Sequence, residues 1–146
     1  ELTWKSLIFF TLVPWLSFVV LFDVDERVNN FANQHIIDTE ESCDKLIEDR
    51  KIKDVNGKDK KIRNTFIIST FNKVKDICKE EQRVYKNDNL YRSSEEMELL
   101  HCKLQYDKRK YEGVKIKKHI EIACVTIGRG LQPVHLQLGL GDISSF

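Results

Sequence analysis

The order of hydropathy patterns along the chain predicts an α+β fold with an antiparallel sheet. Helical spacing dominates the first half and strand alternation the second. The length, 146 residues, suits one domain and is too short for two well-filled cores. Four dispersed cysteines, Cys43, Cys78, Cys102 and Cys124, contain no CxxC pair and match no common zinc spacing. They predict a disulfide framework in an exported protein rather than a metal site. Spacing alone leaves three possible pairings.

The chain opens on an almost unbroken apolar run from Leu7 to Phe22, preceded by Lys5 and followed by Asp23, Asp25 and Glu26. A membrane span needs about 20 apolar residues, and this run carries Pro14 near its middle. A basic residue, an apolar stretch and then acidic polar sequence is the layout of a secretory signal. Residues 1–22 are therefore expected to be a signal peptide and 23–146 the folded domain. An Ala-x-Ala cleavage site is missing, so an uncleaved anchor and a buried core helix stay open as alternatives.

Val24 to Ile36 has helical spacing, with Val28, Phe31 and His35 on one stripe. A second helix is expected after a cap at Asp38 or Thr39, with Cys43, Leu46 and Ile47 inward. Asp54 to Lys60, which contains Asn56-Gly57, reads as a loop. Asn64 to Thr70 is rich in β-branched residues and reads as a strand. Phe71 to Lys79 reads as a third helix with Val74, Ile77 and Cys78 inward. Leu90 to Leu104, Val114 to Ile127 and Pro133 to Leu138 read as strands. In the last, Val134, Leu136 and Leu138 share one face and His135 and Gln137 the other.

Net charge is +1, but it is clustered. Arg50 to Arg63 holds seven basic and two acidic residues, and Lys103 to Lys118 again seven and two. Such patches on a near-neutral chain point to a localised polyanion site, against the plainer reading of a solvated surface.

Three local patterns carry chemistry: Gln34-His35 on the first helix, Lys60-Lys61-Ile62-Arg63-Asn64-Thr65-Phe66 entering a strand, and Pro133-Val134-His135-Leu136 near the end. Alone, His35 would read as a structural histidine and Lys61 as surface. His135 is sharper, because the alternation Val-His-Leu turns its ring away from the core. Together these patterns resemble the pancreatic ribonuclease (RNase A) superfamily. So do Cys43-Asp44-Lys45-Leu46-Ile47, Val74-Lys75-Asp76-Ile77-Cys78, His101-Cys102-Lys103-Leu104 and Lys118-His119-Ile120-Glu121-Ile122-Ala123-Cys124, in register from Phe31 to Leu136. The shortened loops resemble the angiogenin or amphibian branches more than the pancreatic one.

The resemblance implies three short helices in the N-terminal half, packed on a curved antiparallel sheet. It implies disulfides Cys43–Cys102 and Cys78–Cys124, with Lys60 and Arg109 standing where a third family pair would be. It implies a secreted, extracellular monomer that binds single-stranded RNA without metal or cofactor and keeps no stable membrane association once the signal is removed. A ribonuclease inhibitor protein would be a further partner. The activity implied is cleavage after pyrimidines through a 2′,3′-cyclic phosphate. His35 would be the base, His135 the acid, and Lys61 the group that stabilises the phosphorane. Gln34, Thr65 and Leu136 would bind substrate, Gln34 at the phosphate and Thr65 at the pyrimidine edge. Imidazole suits both proton-transfer roles because it titrates near neutrality. His119 is expected to be structural and His101 to lie on the surface.

Departures from the family pattern temper this reading. Gln137 stands where an Asp orienting the second histidine is common; an amide can accept a hydrogen bond but cannot balance an imidazolium charge. Val125 stands where a Glu contacting the second base is frequent, and Glu48-Asp49-Arg50 replaces an angiogenin-like arginine run. The tail from Gln137 to Phe146 is long enough to fold over the pyrimidine pocket. The alternative function is therefore a weakly active or inactive member, acting as a secreted nucleic-acid-binding, antimicrobial or receptor-directed protein.

Overall fold

The structure is a computed structural model that describes residues 26–84, 89–107, 109–128 and 130–138. The apolar run at 7–22 and the tail beyond Leu138 lie outside the described residues. Helix α1 covers residues 26–35. It is followed by β1 (Ile36–Ile37), α2 (Cys43–Asp49), β2 (Arg63–Ile68), α3 (Phe71–Lys75), a 3₁₀ turn (Glu80–Gln82), β3 (Leu90–Arg92), β4 (Met97–Leu104), β5 (Tyr111–Lys118), β6 (Glu121–Ile127) and β7 (Gly130–Gln137). Among the described residues, no helix is long and apolar enough to cross a membrane.

Three short helices thus pack on antiparallel sheets, the α+β arrangement expected. The strands divide into a four-stranded sheet in the order β1-β2-β4-β5 and a three-stranded one in the order β3-β6-β7. The pair β1–β2 is parallel, the others antiparallel.

The element boundaries differ from expectation where a polar residue caps a helix or the chain changes sheets. The second helix is capped by Ser42, whose Oγ accepts the Lys45 N–H at 3.3 Å; Asp38 and Thr39 precede it in a bend. Thr70 is likewise no strand residue, since its Oγ1 accepts Lys73 N–H and starts α3. Each such cap contributes about 1 kcal/mol. Helix α3 stops at Lys75, and Ile77 and Cys78 follow it in a turn. The stretch Leu90 to Leu104 breaks at Ser93–Glu96, and Val114 to Ile127 lies in β5 and β6, which are separated at His119-Ile120. At both breaks the chain passes from one sheet to the other.

The core falls into two clusters on opposite faces of β2 and β4. Side chains alternate along a strand, so Phe66 and Leu100 join Ile37, Leu46, Ile47 and Ile52 under α2. Their neighbours Ile67 and Leu99 join Phe31, Val74, Ile120, Ile122 and Leu136 on the other side. Burial on both faces explains why β2 carries the unbroken apolar run Phe66-Ile67-Ile68 rather than a simple alternation. Each cluster contains a disulfide: Cys43–Cys102 in the first and Cys78–Cys124 in the second, the pairs implied by the resemblance. A disulfide of this kind typically stabilises by ~2–4 kcal/mol.

Gly113, on β5 opposite Cys102, leaves room for the first bond. A Cβ there would lie 2.8 Å from Cys43 Sγ and 3.2 Å from Leu100 Cδ1. Gly113→Ala is therefore expected to cost about 1–3 kcal/mol through overpacking. Denaturant unfolding checks this: the midpoint should fall below that of the wild-type chain.

Candidate active site

The carboxyl end of α1 is held by groups far along the chain. The last carbonyls of a helix lack internal partners. Arg50 Nη1 donates to the carbonyls of Asn33 at 2.9 Å and Ile36 at 2.7 Å. Asn33 Nδ2 returns a bond to Arg50 O at 3.0 Å, and the Arg50 guanidinium lies 5.9 Å from the centre of the Phe66 ring. Asn64 Nδ2 donates to Gln34 O at 2.8 Å. The pairing Ile36↔Ile67 then lays the chain directly against β2. His35, the last helical residue, is thereby fixed beside Thr65.

His35 Nδ1 lies 2.9 Å from the Thr65 carbonyl oxygen. A carbonyl can only accept, so Nδ1 carries the proton and the neutral ring keeps its lone pair on Nε2. Burial is the main cause lowering the His35 pKa to about 4. The Thr65 carbonyl opposes the shift, and the charges of Lys61 and His135 add to it. Lys61 and His135 are therefore both within electrostatic reach of the ring. Lys61 is itself pushed down by burial, with Asp54 opposing. Its Nζ donates to Asn64 Oδ1 at 2.9 Å, so one amide links the ammonium to the main chain of Gln34.

His35, Lys61, Arg63, Asn64, Thr65 and Leu136 line a shallow cleft of about 170 Å³, together with His101 and Leu138. Its lining carries no carboxylate, and its donors suit an anion. His135 sits on β7 with its side chain exposed, Gln137 on the same face, and Leu136 turned into the core. The Gln34 side chain is not among the groups lining the cleft; this residue contributes its carbonyl to Asn64.

His101 departs from the sequence expectation. It is 3% exposed, not a surface residue. The β2–β4 register sets it opposite Thr65, and Thr65 Oγ1 lies 2.8 Å from His101 Nδ1. Burial lowers its pKa, and Arg63 and Lys103 lower it further. His119 is not on a strand but in the break after β5, where its Nδ1 lies 2.9 Å from Ser93 O. The Ser93 hydroxyl in turn accepts the Ile120 N–H at 3.0 Å, so this histidine clasps the chain between sheets.

Arg50, Asn64 and His101 are site-supporting residues to which the sequence reading assigned no role. Asn64 stood in a motif. Arg50 looked like part of a charge patch, and only the inward phase of Leu99 and His101 hinted at the buried histidine.

The profile of the pancreatic ribonuclease family matches residues 26–137, most of the chain. The chain belongs to the pancreatic ribonuclease family. Pancreatic ribonuclease of Iguana iguana is 32% identical over 123 residues, covering 77% of this chain and 97% of that relative. Ribonuclease-like 3 of Danio rerio is 29% identical over 126 residues, covering 81% and 82%. Among solved structures, zebrafish RNase5 superposes with a TM-score of 0.67 at 28% identity, covering 80% of this chain and 97% of that one. Green turtle egg-white ribonuclease gives 0.63 at 23% identity and supports the fold alone. Membership of the pancreatic ribonuclease family makes this a ribonuclease-type protein. Of the residues singled out in the sequence, His35, Lys61, Thr65 and Leu136 line the cleft at the end of α1, while His135, exposed on β7, and the Gln34 side chain are not among its lining groups.

Proposed function

We propose that the chain is a secreted, metal-independent endoribonuclease that cleaves single-stranded RNA on the 3′ side of pyrimidines. The observation that carries this reading is the state of His35: neutral near pH 7, with its proton held on Nδ1 by the Thr65 carbonyl. Nε2 takes the proton of a ribose 2′-hydroxyl as the 2′-oxygen attacks phosphorus. The bond from phosphorus to the 5′-oxygen breaks, and His135 protonates the departing oxygen. The product ends are a 2′,3′-cyclic phosphate and a 5′-hydroxyl. Hydrolysis of the cyclic phosphate runs the same two roles in reverse, with water as nucleophile. Lys61, partly desolvated, stabilises the charge that builds on the phosphorane oxygens.

The low pKa has a cost and a signature. A weaker base accepts a proton with less driving force. Activity is lost when His35 becomes protonated, so the acid limb of kcat/KM, which reports the free enzyme, is expected at about pH 4. Bound phosphate is anionic and offsets the charges of Lys61 and His135. The acid limb of kcat should therefore lie at higher pH than that of kcat/KM. Coincident limbs in a pH series would count against this electrostatic description.

Thr65 reads the base in this proposal, and His101 sets what its hydroxyl can offer. If the hydroxyl donates to His101, its oxygen is free to accept from the ring N–H of uracil. If it accepts from His101, its hydrogen can go to the ring nitrogen of cytosine. One neutral hydrogen bond is worth about 0.5–1.5 kcal/mol. His101→Leu is accordingly expected to change the ratio of cytidine to uridine cleavage by a few-fold up to about tenfold. Rates on CpA, UpA and ApA test the proposal as a whole. The two pyrimidine dinucleotides should be cleaved and ApA resist; equal rates on all three would refute the pyrimidine reading.

A further inference from the structure

One residue before Lys61, the chain turns into a second cleft, of about 520 Å³. Its cations come from both basic stretches of the sequence: Lys51, Lys53 and Lys60 from the first, Arg109 and Lys110 from the second. The two are joined directly, because Lys60 Nζ donates to Arg109 O at 3.2 Å. These five face two carboxylates, Asp44 and Glu48. Asp44 is already committed, since its Oδ1 accepts the Tyr111 N–H at 2.9 Å.

Beneath the charges lie apolar groups, the buried Ile47 and Ile52 and the half-buried Tyr111. The Tyr111 hydroxyl donates to the Lys61 carbonyl at 2.6 Å, which fixes the ring and ties this cleft to the backbone of the catalytic lysine. Lys51 adopts φ 55°, a left-handed conformation that favours glycine just past a helix. Non-glycine residues held in such conformations cluster at binding sites. Here the side chain that a glycine would lack is one of the cations lining the cleft.

We propose that this cleft is a second nucleic-acid subsite, which holds a phosphodiester unit of the same single-stranded RNA that occupies the catalytic cleft. The proposal rests on the ribonuclease reading of that neighbouring cleft. The volume falls in the range of small-molecule sites, about 300–1,000 Å³, enough for one nucleotide. Cations would hold the phosphate and the Tyr111 ring would meet the base, the combination that binds single strands without sequence preference. Lys60 of this cleft is the chain neighbour of Lys61 in the catalytic cleft, which favours the RNA bound there over a sulfated polysaccharide.

The test uses the full chain carrying Lys51→Gln, Lys53→Gln and Lys110→Gln, all exposed positions outside the catalytic cleft. In an otherwise wild-type background, kcat/KM on a dinucleotide should stay within about twofold, because a dinucleotide reaches only the first cleft. In the His35→Ala/His135→Ala background, affinity for a 12-nucleotide single-stranded RNA should fall at least tenfold. The slope of log affinity against log salt should fall by about 2, from about 0.7 per cation removed. An unchanged affinity and slope would overturn the proposal, as would weakening seen with heparin but not with RNA. If the wild-type chain cleaves no dinucleotide yet the triple variant still loses RNA affinity, the subsite stands and the catalytic reading falls.

Discussion

Replacing His35 or His135 with alanine is expected to lower cleavage by ~100- to 10,000-fold, the usual contribution of a positioned acid or base. His35 can act as a base because three features coincide. Its Nδ1 proton is occupied by the Thr65 carbonyl, its Nε2 keeps the lone pair, and burial holds the ring neutral. Removing the ring should leave the fold largely intact, since α1 stays anchored through Arg50 and the Ile36↔Ile67 pairing after the imidazole's bond to Thr65 is lost. His135 is exposed, so its loss should cost little stability. His119→Ala is the matched control. It breaks the contact to Ser93 and should lower stability while leaving the rate of folded protein near wild type. Rates normalised to the folded fraction separate the outcomes: equal effects of all three substitutions would argue against the assignment.

Lys61→Ala is expected to reduce kcat by about 100- to 1,000-fold, the range for removing a preorganised donor from a transition-state oxyanion. The effect should appear in kcat more than in KM, because the extra charge on phosphorus exists only in the phosphorane. Lys61→Arg is not expected to restore full activity. Asn64 Oδ1 holds the ammonium at 2.9 Å, and a planar guanidinium cannot take the same compact position. Lys61→Ala should also remove one of the charges that depress His35, so the acid limb of kcat/KM should move to higher pH. A Lys61→Ala enzyme with a wild-type kcat would remove this lysine from the chemistry.

Much of this architecture is legible in the sequence. Phe31 and His35 share a helical stripe, Leu136 and His135 alternate on a strand, and both patterns follow from local geometry. Boundaries were less legible, because several residues compete for one role. Asp38, Thr39 and Ser42 can all cap a helix, and tertiary packing of Cys43 and Leu46 selects Ser42. The sheet switch at Ser93–Glu96 falls on the polar run Arg92-Ser93-Ser94-Glu95-Glu96, a break the strand reading ran through, whereas the switch at His119-Ile120 leaves little trace because Ile120 is itself buried. His101 was misplaced for a different reason. Its phase with Leu99 hints at burial, but the partner that makes a buried imidazole tolerable, Thr65, is set by the β2–β4 register. Arg50 reads as one more cation in a basic stretch, and only the folded chain shows it spent on the carbonyls at the end of α1. The cysteine pairing was fixed by resemblance, as spacing allowed three solutions.

A two-histidine, metal-independent transphosphorylation is tested by following a cytidine- or uridine-containing dinucleotide with phosphorus NMR. The refolded protein should carry both disulfides, and the reaction should be run with and without a chelator. A 2′,3′-cyclic phosphate is expected to accumulate before the 3′-phosphate, at a rate the chelator leaves unchanged. Cleavage no faster than that of the His35→Ala/His135→Ala double variant, from protein with Cys43–Cys102 and Cys78–Cys124 intact, would contradict it.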